Sequence, residues 1–271
     1  MRERVRDPEL PDEITPKDLA PSARNELKTL SKENAERVAR HLAMAAAVID
    51  DDPELAFEHA SAAVRHAGRV GVARETLAIA AYAKGDFALA LRELRTYRRI
   101  TGHNEHVALI VDSERGVGRP EKALEEGRSA DRSELPVASR VELAIAMSGA
   151  RLDLGQTELA LVELDIPELD PDRAYEWSPG LFAARANVLE DLGLTDEAAE
   201  WRRRAEIAES VLEAEAAKDD LITVDDTATE EIVEDEEPEE SAPVSVEDEV
   251  AEILTDAGVD EETDGAVQPE D

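Results

Sequence analysis

Five histidines and no cysteine bound the chemistry this 271-residue chain can do. Without a thiol there is no disulfide framework, no thiolate nucleophile and no Cys-ligated zinc or iron–sulfur site. Among the histidines, His103 and His106 stand three apart, and His59 and His66 lie two turns apart on one helical stretch. No H-E-x-x-H pattern turns either pair into a metal site, so they read as surface or core groups. A G-x-S-x-G elbow, a Walker-type phosphate loop and a G-x-G-x-x-G turn are all missing from the sequence. Gly116-Val117-Gly118 reads as a helix end and not as a phosphate cradle. The residues therefore nominate no catalytic group, no cofactor and no metal, and the expected protein is not an enzyme.

Two further clusters could do binding chemistry. Arg92, Arg95, Arg98 and Arg99 crowd one segment, and Arg92, Arg95 and Arg99 share a helical face that could meet phosphates or an acidic segment. Glu93 sits among them, Tyr97 is the one aromatic nearby, and the formal charge is -36, so nucleic acid is not the expected partner. Trp177-Ser178-Pro179 has the form of a helix start, with Ser178 as N-cap, Pro179 in the first position and Trp177 stapled against Phe182.

The charge is unevenly placed. No Lys or Arg follows Lys218, and residues 219–271 hold 23 Asp and Glu, leaving -13 for the first 218 residues. The last fifty residues contain no aromatic side chain. Ordering them would cost about 1–2 kcal/mol per residue of backbone entropy, which their scattered Val, Ile and Leu cannot offset, so a disordered acidic tail is expected over 218–271. Within it, Val246, Val250, Ile253 and Leu254 have helical spacing. The longest apolar run, Leu42 to Ile49, is far short of the roughly 20 residues that span a bilayer, and no apolar stretch follows the basic residues after Met1. No membrane contact and a cytoplasmic location are expected.

The elements that must position any site are helices. From 31 to 217 apolar residues recur at three and four, with no competing alternation. Five related bends interrupt them, beginning at Asp51, Gly85, Gly118, Gly155 and Gly193, at intervals of 33 to 38 residues. Each places Gly or Asp at a helix end and Pro, Thr or Phe at the next start, and each carries Ala five residues on: Ala56, Ala90, Ala123, Ala160 and Ala198. Such an alanine marks a close approach of two helices. A short N-terminal helix is signalled at Thr15-Pro16-Lys17-Asp18, so residues 1–30 read as an extended arm with a short helix, ahead of a helical domain over 31–217.

Gly85-Asp86-Phe87-Ala88-Leu89-Ala90 resembles the G-D-Y/F-x-x-A turn of the tetratricopeptide repeat, and Leu169-Asp170-Pro171 resembles that family's repeat-ending L-D-P. The small first-helix residue of the family is Ala78, Val111, Ser148 and Ala186 here, and its large aromatics are mostly Ala, Leu or Arg. At finer grain, segments such as Leu91-Arg92-Glu93-Leu94-Arg95-Thr96-Tyr97 are similar to an uncharacterised actinobacterial branch of such repeats. The resemblance implies an all-α fold of stacked antiparallel helix hairpins, a tetratricopeptide-like solenoid. It also implies a concave groove lined by the first helix of each repeat, holding an extended peptide or a partner helix. Counted from the bends, the groove positions are Leu42 and Ile49, then Glu75, Ile79 and Tyr82, then Ala108, Asp112 and Arg115, then Ile145 and Leu152, then Ala183, Asn187 and Glu190. Only Asn187 matches the Lys and Asn with which some members clamp a C-terminal carboxylate. The expected function is a non-catalytic adaptor or scaffold that binds a protein or peptide partner. The alternatives are an RNA- or translation-associated regulator using the arginine stripe and, with the least behind it, an enzyme without a recognisable motif. The sequence leaves the oligomeric state open.

Overall fold

The computed structural model describes residues 6–228, with side chains as far as residue 217. All its regular structure is helical, and no strand occurs among the described residues. The helices are α1 (Pro21–Glu26), α2 (Lys32–Val48), α3 (Pro53–Ala67), α4 (Gly71–Ala83), α5 (Phe87–Thr101), α6 (Val107–Gly116), α7 (Pro120–Ser129), α8 (Val137–Asp153), α9 (Thr157–Glu163), α10 (Ser178–Asp191) and α11 (Thr195–Ala228). Single 3-10 turns cover Pro16–Asp18, Leu27–Thr29 and Arg132–Glu134. Among the described residues, no helix is long and apolar enough to cross a membrane.

Four of the five bends are built alike, which their sequences explain. In each, a glycine at φ between 67° and 81° ends the first helix (Gly85, Gly118, Gly155, Gly193). Its N–H donates to the carbonyl three residues back, and the next N–H reaches five back, as in Gly118 to Arg115 at 2.8 Å and Arg119 to Glu114 at 2.9 Å. This left-handed closure satisfies carbonyls that a helix end leaves free. A Cβ at Gly118 would meet nothing within 4 Å, so backbone conformation and not crowding requires the glycine. The bend at Asp51 has no such residue. There the Asp52 N–H returns to Val48 O at 2.7 Å and the Asp52 carboxylate caps α3 through Leu55 N at 3.0 Å, ahead of Pro53.

The bends at Asp51, Gly85, Gly118 and Gly155 turn the chain so that consecutive helices pack: α2 on α3, α4 on α5, α6 on α7 and α8 on α9, with α2 also on α4, α6 on α8 and α8 on α10. All five alanines after the bends are at most 1 % exposed, as are Ala78, Val111 and Ala186 in the first helices. The core is correspondingly built from small side chains, filled out by leucines such as Leu42, Leu94, Leu143 and Leu181.

Three residues after each shared alanine lies a position that sequence reading passes over: His59, Glu93, Glu126, Glu163 and Trp201. Every one is answered from another helix or loop. His59 meets His41, Glu93 meets Arg74 at 2.5 Å, Glu126 meets Arg98 at 2.6 Å, and Glu163 meets Arg151 at 3.1 Å. Trp201 has the guanidinium groups of Arg185 and Arg204 each 5.1 Å from its ring centroid. A group that is 1 % exposed, as Glu93 is, requires such a partner, because an unpaired charge would be left in a dry interior.

Residues 6–30 belong to the same compact unit as the helices that follow. Thr15 and Asp18 form a capping box at the expected helix start, and Leu19 and Leu27 enter the core beside Val38 and Leu42. The preceding chain is pinned across α2 and α3. Arg40 donates to Ile14 O and Pro11 O, both at 2.7 Å, and Asp7 accepts from Arg65 at 2.6 Å and from His66 Nε2 at 2.7 Å. Burial alone would raise the Asp7 carboxyl, but the hydrogen bonds from His66 and Arg65 bring it down to about 2.

The expected tail boundary at 218 falls inside α11, which has no Gly or Pro between Thr195 and Ala228 to stop it. The second unit, Leu221–Asp271, lies mostly beyond the described residues, and so do residues 229–271 of the tail expected over 218–271, with the helical spacing from Val246 to Leu254. The start of α10 also differs from expectation. The Ser178 hydroxyl is occupied by the preceding loop, accepting from Tyr175 N at 3.0 Å and donating to Arg173 O at 3.3 Å, so Trp177 becomes the N-cap. Trp177 then stacks on Tyr175, with centroids 4.9 Å apart, while Phe182 packs on Trp201.

Candidate functional site

Three helices each present one face to a groove of about 450 Å³. From α4 come Ile79 and Tyr82, from the start and body of α6 come His106, Ala108, Leu109, Asp112 and Arg115, and from α8 come Glu142, Ile145 and Ala146. Within each helix these residues recur at three and four, as in Ile79–Tyr82, Ala108–Asp112–Arg115 and Glu142–Ile145, with Leu109 and Ala146 widening the same side. A second recess of about 410 Å³ continues from it past Glu142 and Ile145, which line both, to Glu176, Trp177 and Gly180.

The polar side of the groove is held rigid by one network. The Tyr82 hydroxyl donates to Asp112, and Arg115 donates to Asp112 at 2.5 Å and, through Nε, to Asp153 at 2.8 Å. Burial and this bond to Asp112 push the Tyr82 hydroxyl well above its ordinary range, so it stays a donor. Burial works against the Arg115 charge, but Asp153 and Asp112 hold its pKa above the usual value. A Cβ on Gly149 would lie 2.4 Å from Arg115 Nη1, so a side chain there would displace the guanidinium from its place against α8. At the other end His106 Nε2 meets Glu75 Oε1 at 2.8 Å, and that bond raises the imidazole pKa against the opposing effect of burial. The apolar floor is Ile79, Leu109, Ile145 and Ala146.

Of the positions expected to line a groove, the structure brings together Ile79, Tyr82, Ala108, Asp112, Arg115 and Ile145. Glu75 stands behind them as the partner of His106. Leu42 is not a groove residue: it is 1 % exposed and belongs to the core, because the chain around Leu19 and Leu27 covers that side of α2. Ile49 and Leu152 pack against core clusters. On α10, Ala183 packs towards Trp201, Glu190 pairs with Arg202 at 2.5 Å, and Asn187 is exposed, apart from the groove lining. His106, Leu109, Glu142 and Ala146 were not anticipated. Leu109, Glu142 and Ala146 are each one or three residues from an expected position, so a wider face on each first helix would have included them.

Three of the four arginines of the stripe are paired with carboxylates. Arg92 pairs with Glu93 at 2.9 Å, Arg95 with the fully buried Glu114, and Arg98 with Glu126. Arg99 is exposed and has no ion pair among the described residues. Four of the five histidines are likewise engaged, His41 with His59 at 2.9 Å, His66 with Asp7 and His106 with Glu75. Among the described residues no three His, Asp or Glu side chains are grouped to hold a metal ion. Gly116 ends α6 as its spacing suggests, with Phe87 packed where its side chain would be. What the fold defines is an all-helical protein with an apolar, carboxylate-edged groove. Compared with models of known protein families and with curated proteins, the chain matches none.

Proposed function

We propose that this chain is a tetratricopeptide-like repeat protein whose hairpins stack as a solenoid, and that it works without catalysis as an adaptor, holding a segment of a protein partner in the groove across α4, α6 and α8. The repeat reading is supported by four bends with one hydrogen-bond pattern and by five buried alanines in one register. The binding reading rests on a single observation: six residues counted from three separate bends converge on one recess. An apolar floor of Ile79, Leu109 and Ile145 beside fixed polar groups is the composition that peptide grooves share. The RNA-associated alternative has less behind it, since Arg92 and Arg95 are already bonded to carboxylates.

Affinity capture with the full chain, run in parallel on an Ile145→Glu variant, tests this. Ile145 is only partly buried, so the variant should keep its helical circular dichroism while losing the partner. A partner retained by Ile145→Glu but lost from Arg92→Ala/Arg95→Ala/Arg99→Ala, or replaced by a salt-sensitive RNA shift, would favour the alternative.

A further inference from the structure

We propose that the groove selects a cationic segment, an extended stretch of polypeptide with Lys or Arg flanking apolar side chains. The inference rests on the groove reading above and adds to it the sign of the partner's charge. The Arg115 guanidinium is already paired with both Asp112 and Asp153 and packs against Gly149. The pair of carboxylates leaves that cluster with an excess of one negative charge. His106 is likewise answered by Glu75. Two further carboxylates, Glu142 between the two recesses and Glu176 at the far one, line the surface with no ion pair among the described residues. Both are exposed and free to meet a ligand.

The groove thus offers apolar contact along Ile79, Leu109 and Ile145 and uncompensated negative charge at its edges. An acidic peptide would meet like charge at Glu142 and Glu176 with no free cation to answer it, whereas a Lys or Arg at each place gains a partner without leaving water. Trp177, stacked on Tyr175, lines the far recess and offers an arginine an aromatic ring.

The test uses the full chain and two matched immobilised peptide libraries, each member about ten residues long with the same apolar pattern, long enough to cross both recesses when extended. One library carries Lys and Arg between the apolar residues and the other Asp and Glu. The expected result is saturable binding from the cationic library alone, weakened about two- to fivefold by Glu142→Gln and again by Glu176→Gln, and further by added salt. The control Glu121→Gln/Glu125→Gln on α7 removes the same charge away from the groove and should leave binding unchanged. If that control weakens binding as much as the groove pair does, the attraction is only that of an acidic chain and the inference is overturned. Binding from the acidic library that Ile145→Glu abolishes would overturn the charge selection and leave the groove reading in place. Binding from neither library would overturn both.

Discussion

His41 and His59 show how much one buried contact can decide. Both are at most 2 % exposed, and their Nδ1 atoms stand 2.9 Å apart, so one imidazole donates and the other must accept. Burial, and then the charge of His59, lower the His41 pKa from 6.5 to about 4, and burial lowers that of His59. The folded state therefore binds fewer protons than the unfolded state between those values. Stability from this pair is complete above pH 6.5 and falls as the pH drops towards 4, by on the order of 3 kcal/mol for His41. His106 runs the other way: its raised pKa adds stability at low pH that is lost as the pH rises through that value. Urea unfolding followed between about pH 7 and pH 5 should show a falling midpoint. His41→Gln, which keeps a polar partner for His59 but does not titrate, should flatten the fall. An equal slope in the variant would place the titration elsewhere.

The bend between paired helices recurs along the chain, and its sequence states its geometry. Gly118 has φ 75° with open space around its Cα, so its replacement tests conformation alone. Gly118→Ala should destabilise the protein by about 1–2 kcal/mol, and Gly118→Asn by less, because Asn tolerates the left-handed region. Thermal or urea unfolding would read the difference, and equal losses would mean that something other than backbone conformation holds the bend. Bends and buried alanines were legible because a tight turn and a close helix contact each admit few residue types. The partners three residues past each alanine were not, although the register is constant. Their identity changes from His to Glu to Trp, and the answering group comes from a different distance along the chain each time: 18 residues for His41 and His59, 19 for Arg74 and Glu93, 28 for Arg98 and Glu126. Helix starts misled where a loop competed for the capping side chain, as Ser178 shows. The groove was legible in part. Ile79, Tyr82, Asp112 and Arg115 follow from counting, but which carboxylates neutralise Arg115 depends on how α8 lies against α6, and Leu42 was lost to the core because the N-terminal segment covers it.

At the scale of the molecule, the groove faces one side of α4, α6 and α8, and the other exposed apolar groups lie elsewhere, such as Leu159 and Val162 on α9. An adaptor that works through the groove has to place its partner's backbone along the first and not the second. Site-specific incorporation of a photo-crosslinking amino acid separates the two directly. One version of the full chain carries it at Leu109, in the groove floor, and another at Val162, which is 66 % exposed on α9. Illumination with the captured partner should yield a crosslinked product from position 109 and none from position 162. A product from position 162 alone, or equal products from both, would contradict the placement of the binding surface in the groove.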